Sequence, residues 1–129
     1  MVVEVLSSRI ILCPRDRLAT IRFYEEMLGL AIYREWGEGA GRCVVFFIGG
    51  GLLEISGSAA ARHAETVRLF LQVRDVDEAR RQLGERGIPV EAEPGRKPWG
   101  LVEMSCRDPD GLEVVFVEVP PDHPLRRRS

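Results

Sequence analysis

The stretch at residues 68–75, "RLFLQVRD", repeats an earlier one at residues 9–16, "RIILCPRD". Each opens on arginine, has leucine fourth and ends on Arg-Asp. Each then enters a helical pattern. In the first copy Leu18, Ile21, Tyr24 and Leu28 share one face and Gly29 stops the run. In the second, Val76, Ala79 and Leu83 share a face and Gly87 stops it. Asp16 and Asp75 sit where a helix N-cap belongs, and Glu78 follows Asp75 at capping-box spacing. Gly29 and Gly87 suit the left-handed position that follows a helix, which side chains with a β-carbon resist.

Three strand-like runs follow each helix. The first half supplies "AIYREW", "RCVVFFI" and "LLEIS", separated by "GEGAG" and "GGG". The second supplies "IPVEAE", "LVEMSC" and "LEVVFVEV", with "PGRKPWG" and "RDPDG" as turns. Short runs bounded by such turns read as antiparallel strands. The chain is thus expected to be α+β, two tandem βαβββ modules at about residues 8–57 and 66–119 of one domain spanning residues 1–129. The small, polar segment 58–65 is the expected linker, and the proline-rich tail 120–129 is expected to be flexible.

A duplicated βαβββ unit implies mixed, curved sheets that form an open cup with the helices outside. Strand parity says which side chains face that cup. Ile10 and Leu12 oppose Arg9 and Ile11; Leu53 and Ile55 oppose Glu54. Leu69 and Leu71 oppose Arg68 and Phe70; Val114 and Phe116 oppose Glu113 and Val115. The apolar set belongs under the helices. The mixed set, with Arg9, Glu54 and Arg68, does not suit a closed core and does suit a ligand cup or a solvated face.

The totals exclude several classes of function. A net charge of -2 gives no electrostatic reason to bind nucleic acid or an anionic membrane. No apolar run reaches transmembrane length. Cys13, Cys43 and Cys106 are odd in number and form no CxxC pair, so a disulfide framework is not expected. The start "MVVEVLSSR" lacks the basic opening and apolar run of a signal peptide. A cytoplasmic location is the expectation.

The order and spacing of "FYEEMLGL", "LLEI", "VRDVDEARRQLGERGI", "PWG" and "RDPDG" resemble the vicinal oxygen chelate superfamily. That superfamily includes glyoxalase I, extradiol dioxygenases, fosfomycin-resistance enzymes and bleomycin-resistance proteins. The resemblance covers residues 8–118. It implies the cup fold, and by itself it does not choose among isomerases, dioxygenases, transferases and binders. In metal-dependent members four ligands meet on the cup face, one each from the first, fourth, fifth and eighth strands. Here those slots hold Arg9, Glu54, Arg68 and Val115. Arginine has no available lone pair and valine has no donor atom. Transition-metal sites need three or more protein ligands. The expectation is therefore no metal and no other cofactor. One alternative stays open: Glu113, one pleat before Val115, could join Glu54 around a hydrated Mg²⁺. His63 and His123 lie in the linker and tail and are poor ligand candidates.

The expected ligand-binding residues are Arg9, Glu54, Arg68, Phe70, Trp99 and Val115. Arg9 and Arg68 open equivalent strands and suit an anion pair oriented by Glu54. Trp99 lies in the "PWG" turn; a "WG" at this place sits near the bound drug in bleomycin-resistance relatives. Trp36 is a second candidate aromatic wall. Phe46 and Phe47 suit the core, and Phe70 the cup. Cys13 and Cys106 have no activating neighbour, and Asp108 and Asp110 are turn formers. The first reading is a metal-independent small-molecule binder resembling the bleomycin-resistance branch, acting as a homodimer. The alternative is an enzyme. Its metal-free form uses Glu54 or Glu113 for acid/base work. A metal-dependent lyase or dioxygenase ranks last.

Overall fold

The computed structural model describes residue 4 and residues 6–58 and 67–124. Nearly all of the expected linker, with His63, lies outside them, as do residues 125–129. The chain divides into two compact units, Met1–Arg62 and His63–Ser129.

The first unit runs β1 (Arg9–Leu12), α1 (Arg17–Arg22), a π-helical turn (Phe23–Met27), β2 (Ile32–Trp36), β3 (Cys43–Ile48) and β4 (Gly51–Ile55). Its four strands lie in the order β1-β4-β3-β2, with β1 parallel to β4 and the other pairs antiparallel. The second unit runs β5 (Arg68–Gln72), α2 (Val76–Glu85), β6 (Val90–Arg96), β7 (Val102–Arg107) and β8 (Glu113–Glu118). Its order, β5-β8-β7-β6, repeats that of the first, again with one parallel pair. The architecture is α+β, and each unit is the expected βαβββ.

Both helices begin as their sequences dictate. Asp16 accepts from the Ala19 amide and Asp75 from the Glu78 amide, each at 3.1 Å, meeting donors that the first turn leaves unpaired. The reciprocal half of the capping box is not the partner Glu78 takes. Its carboxylate is held by Arg81 and Gln82. Glu118 on β8 instead reaches α2, accepting from the Val76 amide at 2.9 Å and tying the helix to the sheet.

The first helix departs from its expected phase. After Arg22 the chain widens into a π turn, in which the Leu28 amide bonds the Phe23 carbonyl at 2.9 Å. The extra residue shifts the phase of the residues that follow it. Thr20, Ile21, Phe23 and Tyr24 are buried, whereas Leu18 is 43% exposed. The closing bond shows the same shift. It runs from Leu30 back to Tyr24 here, one residue longer than from Ile88 to Leu83 after α2. Gly29 and Gly87, both at φ 71, make the left-handed exits that these closures require.

Each helix covers one face of its own sheet. In the first unit α1 packs on β3 and β4. Ile21 and Tyr24 join Val44, Phe46, Leu53 and Ile55 in that core, with the Tyr24 and Phe46 rings 6.3 Å apart. Six helical residues span only about 9 Å, and edge strand β1 gains little cover. Ile10, on the helix side by parity, is 44% exposed. In the second unit α2 packs on β6, β7 and β8. Val76 and Leu83 lie in a core with Leu69, Met104, Cys106, Val114 and Phe116. Ala79 is only partly buried. Burial pushes the Cys106 thiol up to about 11, keeping it protonated and inert.

The "RDPDG" turn between β7 and β8 hangs on Asp108. Its buried Oδ1 accepts from the Asp110 and Leu112 amides, each at 2.9 Å, and Gly111 completes the turn at φ 87. Asp108→Ala strands both amides and is expected to cost about 3 kcal/mol. Asp108→Asn, which keeps an acceptor, is expected to cost about 1 kcal/mol. Urea unfolding midpoints check this; equal losses for the two variants would contradict it.

Candidate functional site

The face of the first sheet opposite α1 is built in rows by strand register. Ile11, Glu54, Val45 and Arg34 stand side by side across all four strands. Arg9, Leu52 and Phe47 form the next row. Adjacent members of a row are about 4.8 Å apart. Trp36, two residues beyond Arg34, pairs with Cys43 on the same face.

Sequence parity puts Tyr33 on the opposite side from Arg34, and the structure does not. Between Ile32 and Arg34 the strand spends two steps while β3 spends one, from Phe46 to Val45. Such a bulge lets consecutive residues share a face. The Tyr33 ring accordingly meets Phe47 edge-on, with centroids 5.3 Å apart. Tyr33, Phe47 and Trp36 are 50%, 44% and 38% exposed, three large aromatics on one face. Phe46 is core as expected, but Phe47 is not. It shares its face with Val45, the register partner of Glu54.

Glu54 is the electrostatic centre of this face. Its Oε1 accepts from Arg9 at 2.7 Å and its Oε2 from the Ser56 hydroxyl at 2.7 Å. The Ser56 and Arg9 hydrogen bonds hold its carboxyl below the ordinary value of 4.5, outweighing partial burial, and the charges of Arg9 and Arg34 add to the effect. A carboxylate so stabilised is a poor general base. Arg34 has no carboxylate within ion-pair distance among the described residues. Its guanidinium lies over the Trp36 ring, 5.2 Å from the centroid. Arg9, Arg34 and Glu54 leave the face with one net positive charge.

The second sheet offers an equivalent face with different chemistry. Arg68 and Glu113 are direct register partners, and their charged groups approach to 3.8 Å. Phe70, Val115, Ser105 and Ala92 form the next row. Phe70 is 53% exposed, whereas Val115 is buried in an apolar cluster with Leu101, Val117 and Val119. The buried Ser105 hydroxyl has no hydrogen-bond partner among the described residues. By register Val115 is the counterpart of Glu54 and Glu113 that of Leu52. The two opening arginines therefore find their carboxylates at different steps of the pleat. Trp99 is 57% exposed, its indole donating to Glu103 at 2.7 Å. The turn that carries it is held from the tail, where His123 lies 3.1 Å from the Trp99 carbonyl.

These residues do not fit the metal centre that the resemblance brings to mind. Among the described residues no three His, Cys, Asp or Glu side chains gather as a metal would need. Both oxygens of Glu54 are already engaged, and Glu113 stands against Arg68.

A family model described as the Glyoxalase/Bleomycin resistance protein/Dioxygenase superfamily matches residues 8–116. Among solved structures, the chain is similar to a glyoxalase/bleomycin resistance protein/dioxygenase from Nocardioides. The identity is 19%, over 96% of this chain and 90% of that one, with a TM-score of 0.76. TnmS3, an antibiotic binding protein from a Streptomyces species, matches at 21% identity over 93% of this chain and 100% of its own, also at 0.76. A superfamily member from Sphaerobacter thermophilus matches at 25% identity over 91% of this chain and 98% of its own, at 0.66. No curated protein matches the sequence significantly.

The Glu54 carboxyl is expected to titrate below 4.5 when followed by carbon NMR. A depressed folded pKa contributes stability that is complete above the unfolded value and lost as pH falls through the folded one. Glu54→Gln is therefore expected to flatten that part of the acid limb in urea unfolding. A Glu54 midpoint above 4.5 would contradict the assignment.

Proposed function

The chain belongs to the glyoxalase/bleomycin resistance protein/dioxygenase superfamily, and from that premise we propose that it binds a small organic molecule without a metal. The ligand is anionic and partly aromatic. It is held on the sheet faces that the helices leave uncovered. The observation that carries this reading is the first sheet's open face. Where a metal enzyme needs a cluster of donors, this face has exposed aromatics beside arginines and one carboxylate that is already satisfied. Aromatic walls with a few fixed polar groups are the usual composition of small-molecule sites.

In this reading Arg9, held by Glu54, contributes positive charge, and Arg68 does the same on the second sheet. Phe70 and Trp99 supply apolar contact there, and Val115 forms part of the apolar floor. Glu113 serves as the ion-pair partner of Arg68 and not as a catalyst. The direction of the Glu54 pKa supports binding over acid/base catalysis. TnmS3 is described as antibiotic binding, and sequestration of an antibiotic-like compound is the use we assign here. The working form is proposed to be a homodimer, because open sheets with edge strands such as β1, β2, β5 and β6 are commonly closed by symmetric pairing.

Native mass spectrometry of gently purified protein tests the reading. The expected result is a co-purified organic molecule on a dimer, with elemental analysis finding no stoichiometric Zn, Fe, Ni or Mn. Trp99→Ala is expected to weaken that molecule's binding by about tenfold, the scale of one lost aromatic contact. A stoichiometric transition metal would overturn metal independence, and a monomeric mass would overturn the dimer.

A further inference from the structure

We propose that Arg34, a residue on the bulged edge strand β2, is the anion-recognising group of the first sheet. Its ligand class is a planar aromatic acid, with the ring on Tyr33 and Phe47 and the acid on Arg34. This rests on the reading that the uncovered face binds small molecules and names the chemistry of what binds there.

Arg9 spends a hydrogen bond on Glu54 at 2.7 Å, and Glu54 spends its other oxygen on Ser56. That cluster is internally satisfied. Arg34 is the cation left over: exposed, on the same row as Glu54, with no carboxylate in ion-pair range among the described residues. The Trp36 ring 5.2 Å beneath it fixes the guanidinium through the π face. A cation–π contact uses none of the five N–H donors, which leaves them for a ligand. Arg34 is therefore positioned and unspent, the combination that bidentate capture of a carboxylate requires.

The bulge supplies the second half. In a regular strand Tyr33 and Arg34 would face opposite ways. The two-for-one step between Ile32 and Arg34 puts both on the open face, with α-carbons about 3.8 Å apart. The Tyr33–Phe47 pair, edge-to-face at 80°, then offers a half-exposed apolar platform directly beside the cation. An aromatic ring bearing an acid group has the same two features side by side. Neither an aliphatic acid nor a neutral arene would use both.

The test uses naphthoate and its uncharged counterpart naphthamide as probes. Binding is followed through the indole signals of Trp36 and Trp99 in a proton–nitrogen correlation spectrum, which also verifies folding. The expected result is that naphthoate moves the Trp36 signal. Arg34→Met should weaken naphthoate by about tenfold or more, the scale of one charge-assisted hydrogen bond, and leave naphthamide within about twofold. Arg34→Lys, which keeps the charge without the planar fork, should show a smaller loss and serves if the methionine variant fails to fold. Equal losses for both probes, or no loss for either, would overturn the role of Arg34 while leaving the small-molecule reading intact. Binding that moves only the Trp99 signal would overturn the choice of face. No binding by either probe would overturn the ligand class, and the broader reading would then be decided by the co-purification experiment alone.

Discussion

Each sheet has one helix to cover it, and a helix can cover only one face. The other constraints follow from this one. Pleat parity sorts every strand residue onto the covered or the uncovered side. On the covered side Val44, Phe46, Leu53 and Ile55 meet α1, and Val114 and Phe116 lie in the core with α2. The side turned away from the helix carries charged and aromatic residues that a closed core would refuse, beside buried Val45 and Val115. A surface that mixes charged and aromatic groups is thus a direct consequence of the layer arrangement.

The two units keep the same strand order but manage charge differently. In the first, Arg9 reaches diagonally to Glu54, whose second oxygen is taken by Ser56. In the second, Arg68 meets Glu113 straight across the ladder, at longer range and with more exposure. The position equivalent to Glu54 is Val115, buried among other valines and Leu101. The two units share strand order and opening arginines, while their uncovered faces differ. One is a cationic aromatic surface. The other combines an exposed phenylalanine with a buried apolar patch around the unpartnered Ser105 hydroxyl.

Features that depend on local chemistry were legible in the sequence. Asp16 and Asp75 cap because a short carboxylate reaches an amide three residues on, and Gly29 and Gly87 exit left-handed because a β-carbon resists that backbone. The Arg9, Glu54 and Arg68 parities read correctly because those strands are regular. What the sequence hid lies wherever the period breaks. The π turn at Phe23–Met27 shifts the helix phase of the residues that follow Arg22. The β2 bulge shifts strand phase and brings Tyr33 beside Arg34. Both insert one residue into a repeat, and the apolar pattern of the sequence announces neither. Phe47 was missed for a different reason: its run "VVFFI" is apolar on both faces, and alternation alone does not rank the two.

We propose that charge and aromatic surface on the uncovered faces serve in place of a metal. Calorimetric titration of chelator-dialysed protein with naphthoate, repeated after adding back Zn²⁺, Mn²⁺, Fe²⁺ or Mg²⁺, tests it most directly. The expected result is saturable binding to the dialysed protein, with an affinity unchanged by any of the four ions. Binding that appears only after one of them is restored would contradict it.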